Sequence, residues 1–254
     1  MINLSVNVNK FALLRNSRGK NIPDLENICN QILNYGANGI TVHPRPDERH
    51  SKISDLLPVK KVVTKYKDAE FNIEGYPSES FIKKVIEIQP DQVTLVPDPP
   101  DALTSSFGWD CATNREFLYD IVKSFQNKNI RVSLFISPSL NTLENLEHIL
   151  PDRIELYTFD FAHNFKANKE EAILPYLKIV DFIDEHCPAI DLNAGHDLNL
   201  DNLSFFLSKI PSIKEVWIGN AIVCDALDLG IEKTIKKYLE IISKKWLLYF
   251  GYSF

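Results

Sequence analysis

Short apolar runs alternate with longer segments of helical period along the chain, and the alternation does not break. The runs are NLSVNV, GITVHP, EFNIEG, DQVTLVPD, RVSLFIS, RIELYT, AIDLNAG and EVWIGNAI. Most read as continuous β-branched or aliphatic segments rather than in–out alternations, the pattern of parallel strands buried on both faces. Between them, the periodicity predicts helices over Asp24–Tyr35, Lys52–Tyr66, Ser78–Ile88, Asn114–Asn127 and Lys169–His186. Asp24 after Pro23, Ser78 after Pro77 and Thr142 after Asn141 read as N-caps, because a short oxygen-bearing side chain can accept a free first-turn N–H. Eight strand–helix units in 254 residues fit a single (β/α)8 TIM barrel in size and count. A doubly wound open sheet would place a Gly-rich dinucleotide loop after the first strand, and none follows NLSVNV. Without a linker or low-complexity segment, residues 1–254 are expected to form one domain. The final stretch, about 244–254 with its apolar WLLYFGYSF, reads as a subunit cover or a loose tail.

In such a barrel, function collects at the carboxyl ends of the strands. The first strand ends in Asn7, Asn9 and Lys10, the second in His43, Arg45 and His50, and the third in Glu74. The fourth enters the long loop PDPPDALTSSFGWD, whose length suits a lid or binding loop. The seventh ends in His196 and Asp197, the eighth in Gly219 and Asn220. The opposite ends carry plain turns such as NYGANG and FQNKNI. His43 alone could be a hydrogen-bonded core histidine, but with Arg45, Arg49 and His50 around it at a strand end it reads as part of a site. Glu74, in an apolar strand, is either paired or catalytic, since an unpaired buried carboxylate is expensive. His148, His163 and His186 are expected at the surface. Arg15 and Arg18, taken alone, read as solvated charges.

Composition narrows the partners. A net charge of −6 argues against a general nucleic-acid surface, which needs a basic face, and leaves room for local basic clusters such as the one around Arg45 and Arg49. Cys29, Cys111, Cys187 and Cys224 are scattered without C-x-x-C or zinc spacing, and are expected to be buried, reduced thiols of a cytosolic protein. The N-terminal residues interrupt their apolar positions too often for a signal-peptide core. The longest apolar run is about half of what crosses a bilayer, so no membrane partner is expected. The His and carboxylate positions form no metal motif such as H-E-x-x-H, and no metal or cofactor is expected.

The motifs VNVNKFALLRNSRG, GITVHPRPDERH, FNIEGY, VTLVPD, VSLFI, LNAGHDLN and IGNAI occur in the order seen in pyridoxine 5′-phosphate synthases. The resemblance spans about Leu4 to Leu239. It implies a (β/α)8 barrel with extra helices, a cytoplasmic homo-octamer, and condensation of 1-deoxy-D-xylulose 5-phosphate with 3-amino-2-oxopropyl phosphate. It also assigns roles. His43 and Glu74 match two proton acceptors and His196 a proton donor. Arg45, His50 and Thr104 match contacts to the pentulose phosphate; Asn7, Arg18 and Gly219 match contacts to the aminoketone phosphate. Three positions depart from the common pattern: Asn9-Lys10 stands for Asp-His, Asp197 for Gly, and Asn220 for His. Two other readings of the residues remain: a sugar-phosphate isomerase or aldolase, for which Lys10 is the one strand-end lysine, and a non-catalytic phosphosugar-binding barrel. Retention of His43, Glu74 and His196 together weighs against a pure binder.

Overall fold

Hydrogen bonding joins the apolar runs into a ring. In a computed structural model that describes residues 2–98 and 105–249, with side chains to residue 243, eight strands close into a barrel. They are β1 (Asn3–Asn7), β2 (Gly39–Val42), β3 (Glu70–Gly75), β4 (Gln92–Leu95), β5 (Arg131–Ile136), β6 (Arg153–Tyr157), β7 (Asp191–Gly195) and β8 (Ile213–Ile218). Every neighbouring pair is parallel, and β8 returns to β1 with Leu4 opposite Val216. The first helices are α1 (Asn9–Asn16), α2 (Leu25–Asn34), α3 (Leu56–Val63), α4 (Glu79–Ile88), α5 (Arg115–Gln126) and the short α6 (Leu146–Ile149). They are followed by α7 (Phe159–Ala172), α8 (Leu174–His186), α9 (Leu203–Lys209), α10 (Asn220–Leu229) and α11 (Ile231–Tyr249). The TIM barrel with surrounding helices is thus the observed architecture.

The strands are not apolar on both faces, contrary to the expectation. They alternate. Leu4, Val6, Ile73, Val93, Val132 and Ile154 belong to the apolar core shared with helix residues such as Ile32, Val59 and Phe125. Ser5, Thr41, Asn72, Gln92, Thr94, Arg153, Asn193 and Glu215 are equally buried but polar, and they bond to one another inside the barrel. Ser5 and Thr41 share a 2.8 Å hydroxyl contact, Thr94 donates to Asn72 Oδ1 at 3.1 Å, and Arg153 Nη1 donates to Glu215 Oε2 at 2.8 Å. The polar members are short or amide side chains, so the runs look continuous when only the β-branched residues are counted.

The helices follow their caps. Asp24 Oδ1 accepts from Asn27 N at 2.9 Å, and Ser78 Oγ from Phe81 N at 3.2 Å. In α2, Leu25, Ile28, Cys29, Ile32 and Leu33 face inward at helical spacing. Thr142 is not a cap: it closes a 3-10 turn, Leu140–Thr142, and its hydroxyl donates to Ser139 O. The helix expected over Lys52–Tyr66 begins as a 3-10 turn, Ile53–Asp55, and its α-helical part ends at Val63. The segment Lys169–His186 divides at Ile173, because Pro175 in the first turn of α8 has no N–H to continue α7. Backbone helix extends to Tyr249, so α11 takes in the first part of the 244–254 stretch; residues 250–254 lie outside the described residues. Cys29, Cys111 and Cys187 are buried and free, but Cys224 is exposed, on the solvent side of α10, whose buried residue is Ile222. No helix among the described residues is long and apolar enough to cross a membrane.

Candidate active site

At the carboxyl end of the barrel lies a cavity of about 590 Å³. Asn7, Asn9, Lys10, His43, Arg45, His50, Glu74, His196, Asp197, Gly219 and Asn220 all line it. Two expected residues are not placed there. Arg18 is exposed on the stretch between α1 and α2 and is not in the cavity wall. Thr104, with most of the loop after β4, lies outside the described residues. Arg15, read as solvated, is buried instead: it makes a bidentate pair with Asp55, at 2.7 and 2.8 Å, and reaches His50 O. His148, His163 and His186 are exposed, as expected.

Two histidine–carboxylate pairs face the cavity. His43 Nδ1 lies 3.1 Å from Glu74 Oε1, both side chains almost fully buried. Burial alone would raise Glu74, but the charge and contact of His43, supported by His196 and Arg45, pull it down to about 2. With Nδ1 turned to Glu74, His43 keeps Nε2 as its basic edge. His196 Nδ1 lies 3.5 Å from Glu155 Oε1. Burial raises Glu155 to about 8; nearby His196 opposes this only in part, and Glu74 adds to it. Burial would lower His196, but Glu155, then Glu74 and Asp197, raise it instead. Near neutral pH this second pair therefore retains a proton, while Glu74 stays ionised.

The seventh strand end is shaped to make the second pair possible. His196 and Asp197 both have left-handed backbone, φ 82 and 58, a conformation that costs a non-glycine residue energy and tends to mark a site. Thr158 Oγ1 holds the turn, sharing its one proton between Gly195 O at 2.6 Å and His196 O at 2.5 Å. A Cβ at position 195 would stand 2.1 Å from Glu155 Oε1, so glycine there lets the carboxylate keep this place.

Sequence reading missed Glu155. Its strand, RIELYT, carries one glutamate among apolar residues, the same signal that singled out Glu74 in FNIEGY. It also missed Asp98, which is 3% exposed and accepts from Arg45 Nη2 at 2.6 Å and Ser105 Oγ at 2.7 Å. Asn9 turns out to be a strut: its Oδ1 accepts from His43 N at 3.1 Å and Ser51 Oγ at 2.5 Å. His50 Nδ1 accepts from Ser51 N at 3.0 Å, so its Nε2 carries the ring proton. Burial, then the nearby His43, Arg45 and Arg49, lower His50 to about 3 and keep it a neutral donor. Lys10 and Arg49 add cations to the wall, and Asn220 begins α10, whose free first-turn N–H groups suit an anion. Among the described residues, no group of three or more His, Cys, Asp or Glu is arranged to hold a metal ion.

The chain is similar to known proteins over nearly its whole length. The family model described as "Pyridoxal phosphate biosynthesis protein PdxJ" matches residues 4–244. The chain is 46% identical over 240 residues to a pyridoxine 5′-phosphate synthase of Flavobacterium johnsoniae, covering 94% of this chain and 99% of that one. It is 48% identical over 238 residues to one of Porphyromonas gingivalis, covering 94% and 98%. Among solved structures, 3-hexulose-6-phosphate synthase from Salmonella typhimurium superposes with a TM-score of 0.62 at 12% identity, covering 96% and 99%. That last likeness concerns the fold alone. On the family match over residues 4–244 and these relatives, the chain belongs to the PdxJ family of pyridoxal phosphate biosynthesis proteins.

Proposed function

We propose that the chain condenses 1-deoxy-D-xylulose 5-phosphate with 3-amino-2-oxopropyl phosphate to give pyridoxine 5′-phosphate, releasing phosphate and water. The observation that carries the proposal is the presence of two histidine–carboxylate pairs with opposite proton loads on one cavity, His43–Glu74 and His196–Glu155. Joining an amine to a ketone, expelling water and phosphate, and closing a ring takes several proton transfers in both directions. His43, oriented by ionised Glu74, accepts protons through Nε2. His196, backed by Glu155, supplies them. Two phosphates demand fixed donors: Arg45 and neutral His50 suit the pentulose phosphate, with Thr104 from the loop after β4. Asn7, the backbone at Gly219 and Asn220 at the start of α10 suit the aminoketone phosphate, with Asp197 beside them. Lys10 lends charge to the mouth. Arg18 would have to move inward to contribute. The family resemblance further implies a cytoplasmic homo-octamer, which sedimentation of the purified protein tests.

The direct experiment incubates the purified protein with both phosphates and follows pyridoxine 5′-phosphate and inorganic phosphate together. The two should appear in step, and neither substrate alone should release phosphate. Absence of the ring product with both substrates present would sink the proposal.

A further inference from the structure

Arg45 is the buried cation of the cavity wall, 4% exposed, and its orientation is not left to chance. Its Nη2 donates at 2.6 Å to Asp98, while Nε and Nη1 have no partner among the described residues. Asp98 itself is absent from the cavity lining. It acts from behind the wall, and the same Oδ2 also accepts from Ser105 Oγ at 2.7 Å, a residue that does line the cavity. Asp98 follows β4 by three residues, and Ser105 is the next described residue. One carboxylate oxygen therefore fixes a strand end, the far side of its loop and the guanidinium at once. Among the described residues, the other oxygen, Oδ1, is buried without a partner.

A carboxylate so poorly solvated is retained at a cost, and surface-style pairing does not explain it. We propose that Asp98 is a positioning residue for the pentulose phosphate. It occupies one nitrogen of Arg45, holds the remaining donors toward the cavity, and keeps the empty site from carrying an uncompensated buried cation. This rests on the reading that Arg45 holds that phosphate. Because Asp98 works through Arg45, and the aminoketone phosphate is assigned to Asn7, Gly219 and Asn220, its loss should be felt by one substrate only.

The test measures KM for each phosphate separately in Asp98→Asn, Asp98→Glu and Ser105→Ala, with melting temperatures alongside. Hydrogen bonds to charged groups contribute enough that KM for the pentulose phosphate should rise roughly 10- to 100-fold in Asp98→Asn. KM for the aminoketone phosphate should stay within about twofold, because no charge-assisted bond to it is lost. Asp98→Glu should recover part of the loss, and Ser105→Ala should shift the same KM in the same direction by less. Equal rises for both substrates, a fall in kcat with both KM values unchanged, or no recovery in Asp98→Glu would overturn the assignment. If Asp98→Asn does not fold, Ser105→Ala decides, and an unchanged pentulose KM there overturns it. Absence of ring product from the unsubstituted protein would instead remove the proposed reaction, and this role with it.

Discussion

A carboxyl buried as deeply as Glu155 gives up its proton only when a cation stands close enough to hold the charge. His196 is close, yet Glu155 still rises to about 8 and His196 rises with it, so the native pair binds more protons than the unfolded chain. The contribution of a raised group to stability is present at low pH and lost as pH climbs toward its folded value. Two other site residues act in the opposite sense. Glu74, lowered from 4.5 to about 2, has its full contribution above about pH 4.5; His50, lowered from 6.5 to about 3, ceases to penalise folding above about pH 6.5. Between about pH 6.5 and 8 the Glu155–His196 pair is the remaining shifted group in the cavity, and stability should fall across that interval. Glu155→Gln should flatten the fall and raise the melting temperature at pH 8, by roughly 2–4 °C for each kcal/mol recovered. The same substitution removes the largest cause that raises His196, so the alkaline limb of the kcat/KM profile should move to lower pH. A Glu155→Gln variant that kept both the melting slope and the alkaline limb of the parent would rule out a shared proton.

Asn9 shows how one side chain can serve three elements. It opens α1, and its single oxygen ties the end of β2 at His43 to the far end of the following loop at Ser51. Both partners donate, so only acceptor capacity is used. That explains how an amide can stand where the family resemblance leads one to expect an acid. Asn9→Ala should cost about 1–3 kcal/mol in urea unfolding, since two buried donors lose their partner, and should slow turnover as His43 loosens. Asn9→Asp should regain most of both. A variant that unfolds normally and only raises KM for the pentulose phosphate would make Asn9 a direct ligand instead. This position also marks where sequence reading stops. The eight strands, the boundaries of α2, α4 and α5, and the placement of His43, Glu74 and His196 at strand ends around one cavity were legible, because period and strand-end rules are local. What Asn9, Arg15 and Asp98 do was not, because their partners, Ser51, Asp55 and Arg45, lie about 40 or more positions away. The inward polar face was missed for a different reason: period-2 alternation was present, but small polar residues beside β-branched ones hid it.

Across the whole barrel, charge is divided between two ends with different tasks. Arg153 and Arg131 open β6 and β5, Gln92 opens β4, and Glu215 sits early in β8, whereas Glu74, Tyr157 and Gly195 stand at or near strand ends. Conserving stability at the amino ends and chemistry at the carboxyl ends is what the barrel architecture favours. The Arg153–Glu215 pair is the clearest instance: 2.8 Å long, with side chains 11% and 3% exposed. Gln92 Nε2 and Asn193 Nδ2 approach the same Glu215 oxygen at 3.5 and 3.4 Å, and Arg131 Nε donates to Gln92 at 2.7 Å. Burial raises Glu215 even with Arg153 beside it, which shows how much desolvation the pair must offset. Such a pair contributes little net stability, yet breaking it leaves one charge stranded. Glu215→Gln should therefore cost roughly 3–5 kcal/mol in denaturant unfolding, while an Arg153→Met, Glu215→Leu double variant should recover most of that loss. Because the pair is at the opposite end from His43 and His196, kcat at a temperature where the single variant remains folded should stay within about twofold, with no transition-state contact removed. Loss of turnover in the folded Glu215→Gln protein would show that the barrel interior transmits its charge to the site, and that the two ends are not separate.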